Sequence, residues 1–548
     1  NGAVTFAKTL NGDSTLAVNT AGVTTFGGAV GNVTALKSLT TDAAGTTRIS
    51  GGLIKTTGLA GQVYGDAVIL VTDTTLDAGA GAVTFAAAVN GPGSLTVNTT
   101  GVTTFTAAVG GDTPLAAITT NANGTTTING GSVRTLGTQS WLDDVVMSID
   151  TLFHSANGAI EGGPANTFSA PGRAVTFNAA AGIGGGNPLR IAAGSVVAAV
   201  SGQTGGITLT GVGDLVIGAG GLSAAGPITL DASGAIRVPT GGTIANGPVT
   251  ATKPIHWSVT TTVNSGAGSL QQVLANAHAV GNANAAGRDA VILFSGLPNP
   301  AVFVLQAQLP TIAADVAIDG SGAGIVIDGN RVVQHGLTYG PQAAGSLLKG
   351  VTLANFSHFG VQLLNAQGVT VDGVTVRSVN TETSMGLYAT GNLAGTKVLS
   401  STFSGGLRGA LLDNARDLVF GEIGRGNVLS NNQAAPTNPA FAGTGIRAQG
   451  MLTGTVVSGN TFTGNNYGFA FIGANNLRLD RNTFTRNSVA GIYIEADSRG
   501  STQTGSVFGT AKPDRNKVNV VRAKKSTFGG PAVVTVAQTQ PVVNQKKR

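Results

Sequence analysis

The 548-residue chain has no cysteine, which excludes disulfide staples and thiol chemistry. Charged side chains make up only 10% of it and aromatic ones 5%, while 42% of the residues are hydrophobic. A chain so apolar and so weakly charged does not have the composition of a disordered one. Uninterrupted apolar runs of ~18 residues are missing, so no segment reads as a membrane-spanning helix. The strict third-position glycine of collagen is missing too. A basic stripe with interleaved aromatics, the footprint of a nucleic-acid reader, is likewise absent. The net charge of +6 is instead gathered at the end, where residues 512–548 hold nine basic side chains against Asp514 alone. His154, His256, His278, His335 and His358 are scattered without metal-ligand spacing, and nothing calls for a cofactor.

What is abundant is glycine, at 84 residues, among short runs of Val, Ile, Leu and Thr. That mixture favours short β-strands broken by many turns. Two of these runs form one phrase written twice. "NTAGVTTFGGAVG" begins at Asn19 and "NTTGVTTFTAAVG" at Asn98, 79 residues later. The match extends without a gap from position 1 to Gly52 against Ala80 to Gly131, with 31 identities in 52 positions. Self-similarity of this kind marks a stacked repeat architecture. Within the unit, "VTF" at 4–6 and "TTF" at 24–26 stand 20 residues apart. Coils of about 20 residues, four to a unit, are the expected arrangement. Phe6, Phe26, Phe85 and Phe105 each close the same strand and are expected to stack inward as one aromatic column.

The reading therefore divides the chain into five parts. Residues 1–131 hold two in-register repeats. Residues 132–255 keep the idiom but lose the register, with an insertion around "SWLDDVVMSIDTLFHSANGAIEGG". Trp141, Asp143, Asp144 and His154 in that stretch read as part of a surface loop. Residues 256–290 form a junction, where Leu270, Val273, Leu274 and Ala277 at helical spacing, with Ser269 and Gln272 as a capping box, predict a short helix. Residues 291–510 resume as coils, each opened by glycine: "GVQL" at 360, "GLYA" at 386, "GALL" at 409, "GIRA" at 445, "GFAF" at 468 and "GIYI" at 491. Between the later ones, "SGNTFTGN" and "DRNTFTRN" place Asn460 and Asn482 at one corner of successive coils, where amides can form ladders. Residues 511–548 are a basic extension.

These residues resemble two groups of proteins. The first ~240 look like the β-strand repeats of filamentous-haemagglutinin-like and autotransporter-type bacterial exoproteins. The second part, with "TVNSGAGSLQQVLANA" leading to Gly-initiated coils and "NTF" corners, is similar to the pectate-lyase-like right-handed β-helix repeat proteins. The resemblance implies an all-β, elongated right-handed parallel β-helix, in two consecutive segments with a short helix at the junction. It also implies an exported protein at the bacterial cell surface or beyond it. No secretion domain, outer-membrane barrel or sorting signal is recognisable, and the chain opens on Asn1 rather than Met, so a processed chain or a piece of a longer one is expected.

Two functions follow from such a body. The first is a structural or adhesive fibre or shaft, without catalytic residues, whose copies join head to tail. In that reading Asn1 and Gly2 mark an edge inside the repeat phrase. An alternating strand within 531–543, with Pro531, Val533, Val534, Val536, Val542 and Val543, pairs with the same edge of the next copy. The alternative is a protein that binds or degrades polysaccharide. Tyr339, Tyr388, Tyr467 and Tyr493 would supply stacking faces for surface glycans. For degradation, the carboxylates are Asp319, Asp328, Asp372, Asp413, Asp417, Glu422, Asp480 and Glu495. The first three of these precede glycine, which is turn chemistry.

Overall fold

The computed structural model describes residues 2–184, 188–202, 204–281, 287–378, 383–433, 443–495, 497–509, 514–522 and, as backbone alone, 527–529. Asn1, Pro531, Val533, Val534, Val536, Val542 and Val543, with the strand expected at 531–543, lie outside them. Gly2 is exposed, and its carbonyl accepts the Thr20 hydroxyl at 2.6 Å.

Short alternating runs cut by turn residues cannot sustain a helix, but each can form one side of a coil whose next turn supplies the pairing strand. The named strands accordingly pair in parallel, and the fold is an all-β, right-handed parallel β-solenoid of about 21 turns. It divides into two compact units, the first ending at His256 and the second beginning at Trp257. No helix among the described residues is long and apolar enough to cross a membrane.

In the first unit the coils have three faces, and the 79-residue repeat does not keep to them. Val4–Phe6 and Val23–Phe26 belong to a five-stranded sheet, whereas their counterparts Val83–Phe85 and Val102–Phe105 belong to a twelve-stranded one. Thr15–Val18 lies in the twelve-stranded sheet and its counterpart Leu95–Thr99 in a six-stranded sheet. Leu53–Lys55 lies in the six-stranded sheet, and its counterpart Ser132–Thr135 returns to the face of the five-stranded one through the bridges Val89 to Val109 and Val109 to Val133. Val4, Thr24, Thr47 and Val68 follow one another on one face, so three coils are complete at Val68 and the repeat restarts two faces later. The unit is thus short of the four coils expected, and each copy is rotated by one face.

The rotation also splits the expected aromatic column. Phe6 stacks on Phe26 at 5.3 Å on one face. Phe85 stacks on Phe105 at 5.0 Å and on Tyr64 at 5.1 Å on another. Phe26, Phe85 and Phe105 are wholly buried, but Phe6, in the first strand, is only half covered.

The expected surface loop after residue 131 is a set of coils instead. Gln139–Trp141, Asp144–Met147 and Thr151–Ser155 are strands, and Trp141 is wholly buried in edge contact with Phe153 at 5.5 Å. The repeat in fact continues there with a two-residue deletion: "QVYGDAVIL" from Gln62 matches "QSWLDDVVM" from Gln139. The buried carboxylates confirm the equivalence. Asp66 accepts the hydroxyls of Thr41 and Thr47 at 2.9 and 2.8 Å, and Asp143 those of Thr120 and Thr126 at 2.6 and 2.7 Å.

Near its start the second unit carries the helix Leu270–Ala279, capped by the Ser269 hydroxyl accepting the Gln272 amide at 3.2 Å. Its Leu270, Val273, Leu274 and Ala277 are buried. The coils that follow have faces that differ from one another. The glycines that open each strand, Gly360, Gly386, Gly409, Gly445, Gly468 and Gly491, form an inner column of the eight-stranded sheet. A methyl group on Gly409 would stand 2.6 Å from the Gly445 carbonyl and 2.9 Å from Leu429. No side chain fits so close an approach.

Asparagines hold two of the corners. Asn427 donates to Asn460 at 2.9 Å and Asn460 to Asn482 at 3.0 Å, and a second ladder runs through Asn432, Asn465, Asn487 and Asn516. Buried amides at these corners satisfy backbone groups that the turn leaves out of the sheet.

Candidate functional site

The eight-stranded sheet turns one surface away from the core, and its register sorts the outer side chains into two columns. One runs His335, Phe359, Met385, Arg408, Thr444, Tyr467. The other runs Thr338, Gln362, Tyr388, Leu411, Arg447, Ala470, Tyr493. The columns are three residues apart because two inward positions, the first of them glycine, intervene on each strand, as in Met385-Gly386-Leu387-Tyr388. Steps of ~4.8 Å per coil place Tyr493 about 29 Å along the stack from His335.

Aromatic rings occupy both ends of this strip. Phe359 stacks on His335 at 5.2 Å and 15° and on Tyr388 at 4.9 Å and 20°. His358 meets His335 edge-on at 5.7 Å, and Gln308 fixes the His335 backbone by accepting its N–H and donating to its carbonyl. Burial, and then His358, hold His335 below the usual imidazole range. At the other end Tyr467 and Tyr493 meet edge-on at 5.7 Å. Burial raises both phenols above their ordinary value, and Glu495 and Tyr467 add to the effect on Tyr493.

Between the aromatic ends lie two arginines on adjacent coils. Their Nε atoms are buried and have no hydrogen-bond partner, and neither guanidinium takes part in an ion pair among the described residues. Arg408 reaches the Met385 sulfur with Nη1 at 3.7 Å. Burial, with Arg447 as the second cause, lowers the Arg408 pKa to about 10. Thr444, beside Arg408 in the same column, is wholly buried, and its hydroxyl is also without a partner.

Tyr388, Tyr467 and Tyr493 are half-buried on this surface, but Tyr339 is not with them. It is wholly buried in the core, its ring turned inward from the strand His335–Tyr339. The arginine pair escaped the sequence reading because Arg408 precedes its glycine by one residue and Arg447 follows its own by two. Only counting outward from those glycines would have put them on one face.

The carboxylates weighed as acids and bases go elsewhere. Asp319 faces Lys349 at 3.7 Å, Asp372 binds Arg425 at 2.8 Å, Glu422 binds Lys397 at 2.8 Å, and Asp480 lies 3.2 Å from Arg478. Asp319 and Asp328 accept the amides of Ser321 and Asn330 two residues on, as turn residues do. Asp413 accepts the Asn414 side chain at 3.0 Å. No group of three or more His, Asp or Glu among the described residues is arranged to hold a metal ion.

No curated protein matches the chain. A family model described as right handed beta helix region matches residues 301–508, the stretch that carries the arginines, the tyrosines and the asparagine corners, so these coils are similar to right-handed β-helices.

Proposed function

We propose that the chain is a non-catalytic structural and adhesive solenoid of an exported bacterial protein, and that the strip on the eight-stranded sheet is where it holds polysaccharide. The observation that carries this reading is the row of half-exposed aromatic rings that strand register aligns on one face. Aromatic faces stack on the apolar faces of sugars, and rings locked by their neighbours lose little freedom on binding. The ion pairs and turns that occupy most of the weighed carboxylates favour holding over cleaving. Head-to-tail joining through Asn1, Gly2 and residues 531–543 is the proposed assembly mode, and the body works outside the cell.

Affinity electrophoresis of the full chain through gels carrying soluble polysaccharides tests the reading. Tyr388→Ala and Tyr467→Ala are each expected to weaken retention about tenfold, the equivalent of ~1.4 kcal/mol, in chains that remain folded at the temperature of the gel. A wild-type chain that migrates unretarded in every polymer would end the proposal. For assembly, electron microscopy after deletion of residues 529–548 decides: fibres of unchanged length would eliminate the joint.

A further inference from the structure

We infer that Arg408, Arg447 and Thr444 form an anion-holding subsite in the middle of the strip, so that the glycan it takes is acidic, with a carboxylate or sulfate ester seated between the two guanidinium groups. The inference rests on the reading of the strip as a glycan surface and adds to it the charge of the ligand.

Three facts converge on one point. The arginines lie on adjacent coils of the same face, where Arg408 pairs in register with Thr444 and Leu411 with Arg447. Their Nε atoms and the Thr444 hydroxyl are buried without partners. Among the described residues the ion pairs of the unit leave both guanidiniums out: Asp372, Glu422 and Asp480 are held by Arg425, Lys397 and Arg478. The nearest acid of the same strand, Asp413, is one outward position further along, opposite Gln449, and accepts from Asn414.

Two like charges brought together and partly desolvated repel one another, and each unpartnered buried donor has lost its water without replacement. An anion removes both penalties at once. Guanidinium forks match the planar oxygens of a carboxylate or sulfate, and the Thr444 hydroxyl supplies a further donor. The flanking rings, Tyr388 on one side and Tyr467 and Tyr493 on the other, then stack on the neighbouring sugars. Nothing in this arrangement requires the ligand to be cut.

The test compares a polyuronate, a sulfated glycan and an uncharged polymer on the full-length protein. The basic residues of 512–548 remain in every variant, so their unspecific attraction cancels. Wild type is expected to prefer the acidic polymers about tenfold or more, and added salt to erode that preference. Arg447→Gln and Arg408→Gln should each remove most of it, lowering retention by the acidic polymers far more than retention by the uncharged one. Arg447→Lys should restore only part, because an ammonium lacks the fork. Tyr467→Ala should weaken acidic and uncharged polymers alike. The polyuronate and sulfate arms show which anion the site takes. An acidic preference unchanged in a folded Arg447→Gln variant overturns the subsite and leaves the glycan surface standing. Absence of all retention in wild type overturns the surface and the subsite together. A readout free of glycan adds independence: sodium sulfate, against chloride at equal ionic strength, should raise the unfolding temperature of wild type more than that of Arg408→Gln, and equal shifts would count against the pair.

Discussion

The two units use the same coil differently. In the first, the three faces are interchangeable, and a repeat of 79 residues moves round them by one face per copy without harm. It tolerates this because every face asks for the same thing: an inward Phe, Val, Ile or Leu, an outward Thr, and a turn. In the second unit the faces have separate duties. One carries the glycine column, two corners carry asparagines, and a phrase moved to another face would put an amide or a large side chain where neither fits. A body with equivalent faces keeps no side chain to a fixed face, whereas one with distinct faces can keep chosen side chains aligned over many coils. The aromatic and arginine columns lie in the second unit.

The largest blow to this comparison would come from the core of the first unit. Phe85→Ala removes a ring stacked between Tyr64 and Phe105 and is expected to cost ~3 to 5 kcal/mol. Urea unfolding read at Trp141, with Trp257 replaced by Phe, measures it. A cost below about 1 kcal/mol would mean that the stack is not a support. Next comes the corner of the second unit, read at Trp257 in the same way. Asn460→Ala strips hydrogen bonds from Asn427, Phe420 and Ser458 and is expected to cost about 2 to 3 kcal/mol. Were Asn460→Ala as mild as a surface change, the corners would not distinguish the units.

A smaller effect concerns pH. Burial raises the Asp143 carboxyl above its ordinary range, against the lowering effect of its two threonine hydrogen bonds. A folded-state pKa above the unfolded one means that this group favours folding most below the unfolded value, near ~3.9, and loses that contribution as pH rises through the folded value. Asp143→Asn should therefore raise the midpoint at neutral pH relative to wild type and flatten the pH dependence above ~4. An unchanged pH profile would show that the carboxylate is fully compensated. Smallest of all, Asp319→Asn and Asp328→Asn are expected to shift stability by no more than about 0.5 kcal/mol and to leave glycan retention as it was. Loss of a polysaccharide-degrading activity on either change would reopen the enzymatic reading.

Much of the coil was legible because its causes are local. Alternation gave the strands, Ser269 and Gln272 the helix start, and glycine and asparagine the turns. The misreadings came where a gap or a count intervened. Two deleted residues hid the likeness of Gln62-Val63-Tyr64 to Gln139-Ser140-Trp141, so a buried stretch read as a loop. A coil length that varies between 20 and 23 residues hid the rotation of the repeat. Tyr339 looked like its fellow tyrosines because a single position along a strand reverses the direction of a side chain.

By itself, then, the sequence determined that this chain would wind into stacked parallel coils, because a phrase repeated in register at a spacing of about 20 residues gives each coil the strands and turns that pair with the next. Which residues meet was decided only by tertiary structure. Arg408 and Arg447, 39 positions apart, are neighbours because the intervening chain completes one turn whatever its length. A strand's register fixes what stands on a face, while the loops between strands absorb insertions without disturbing it.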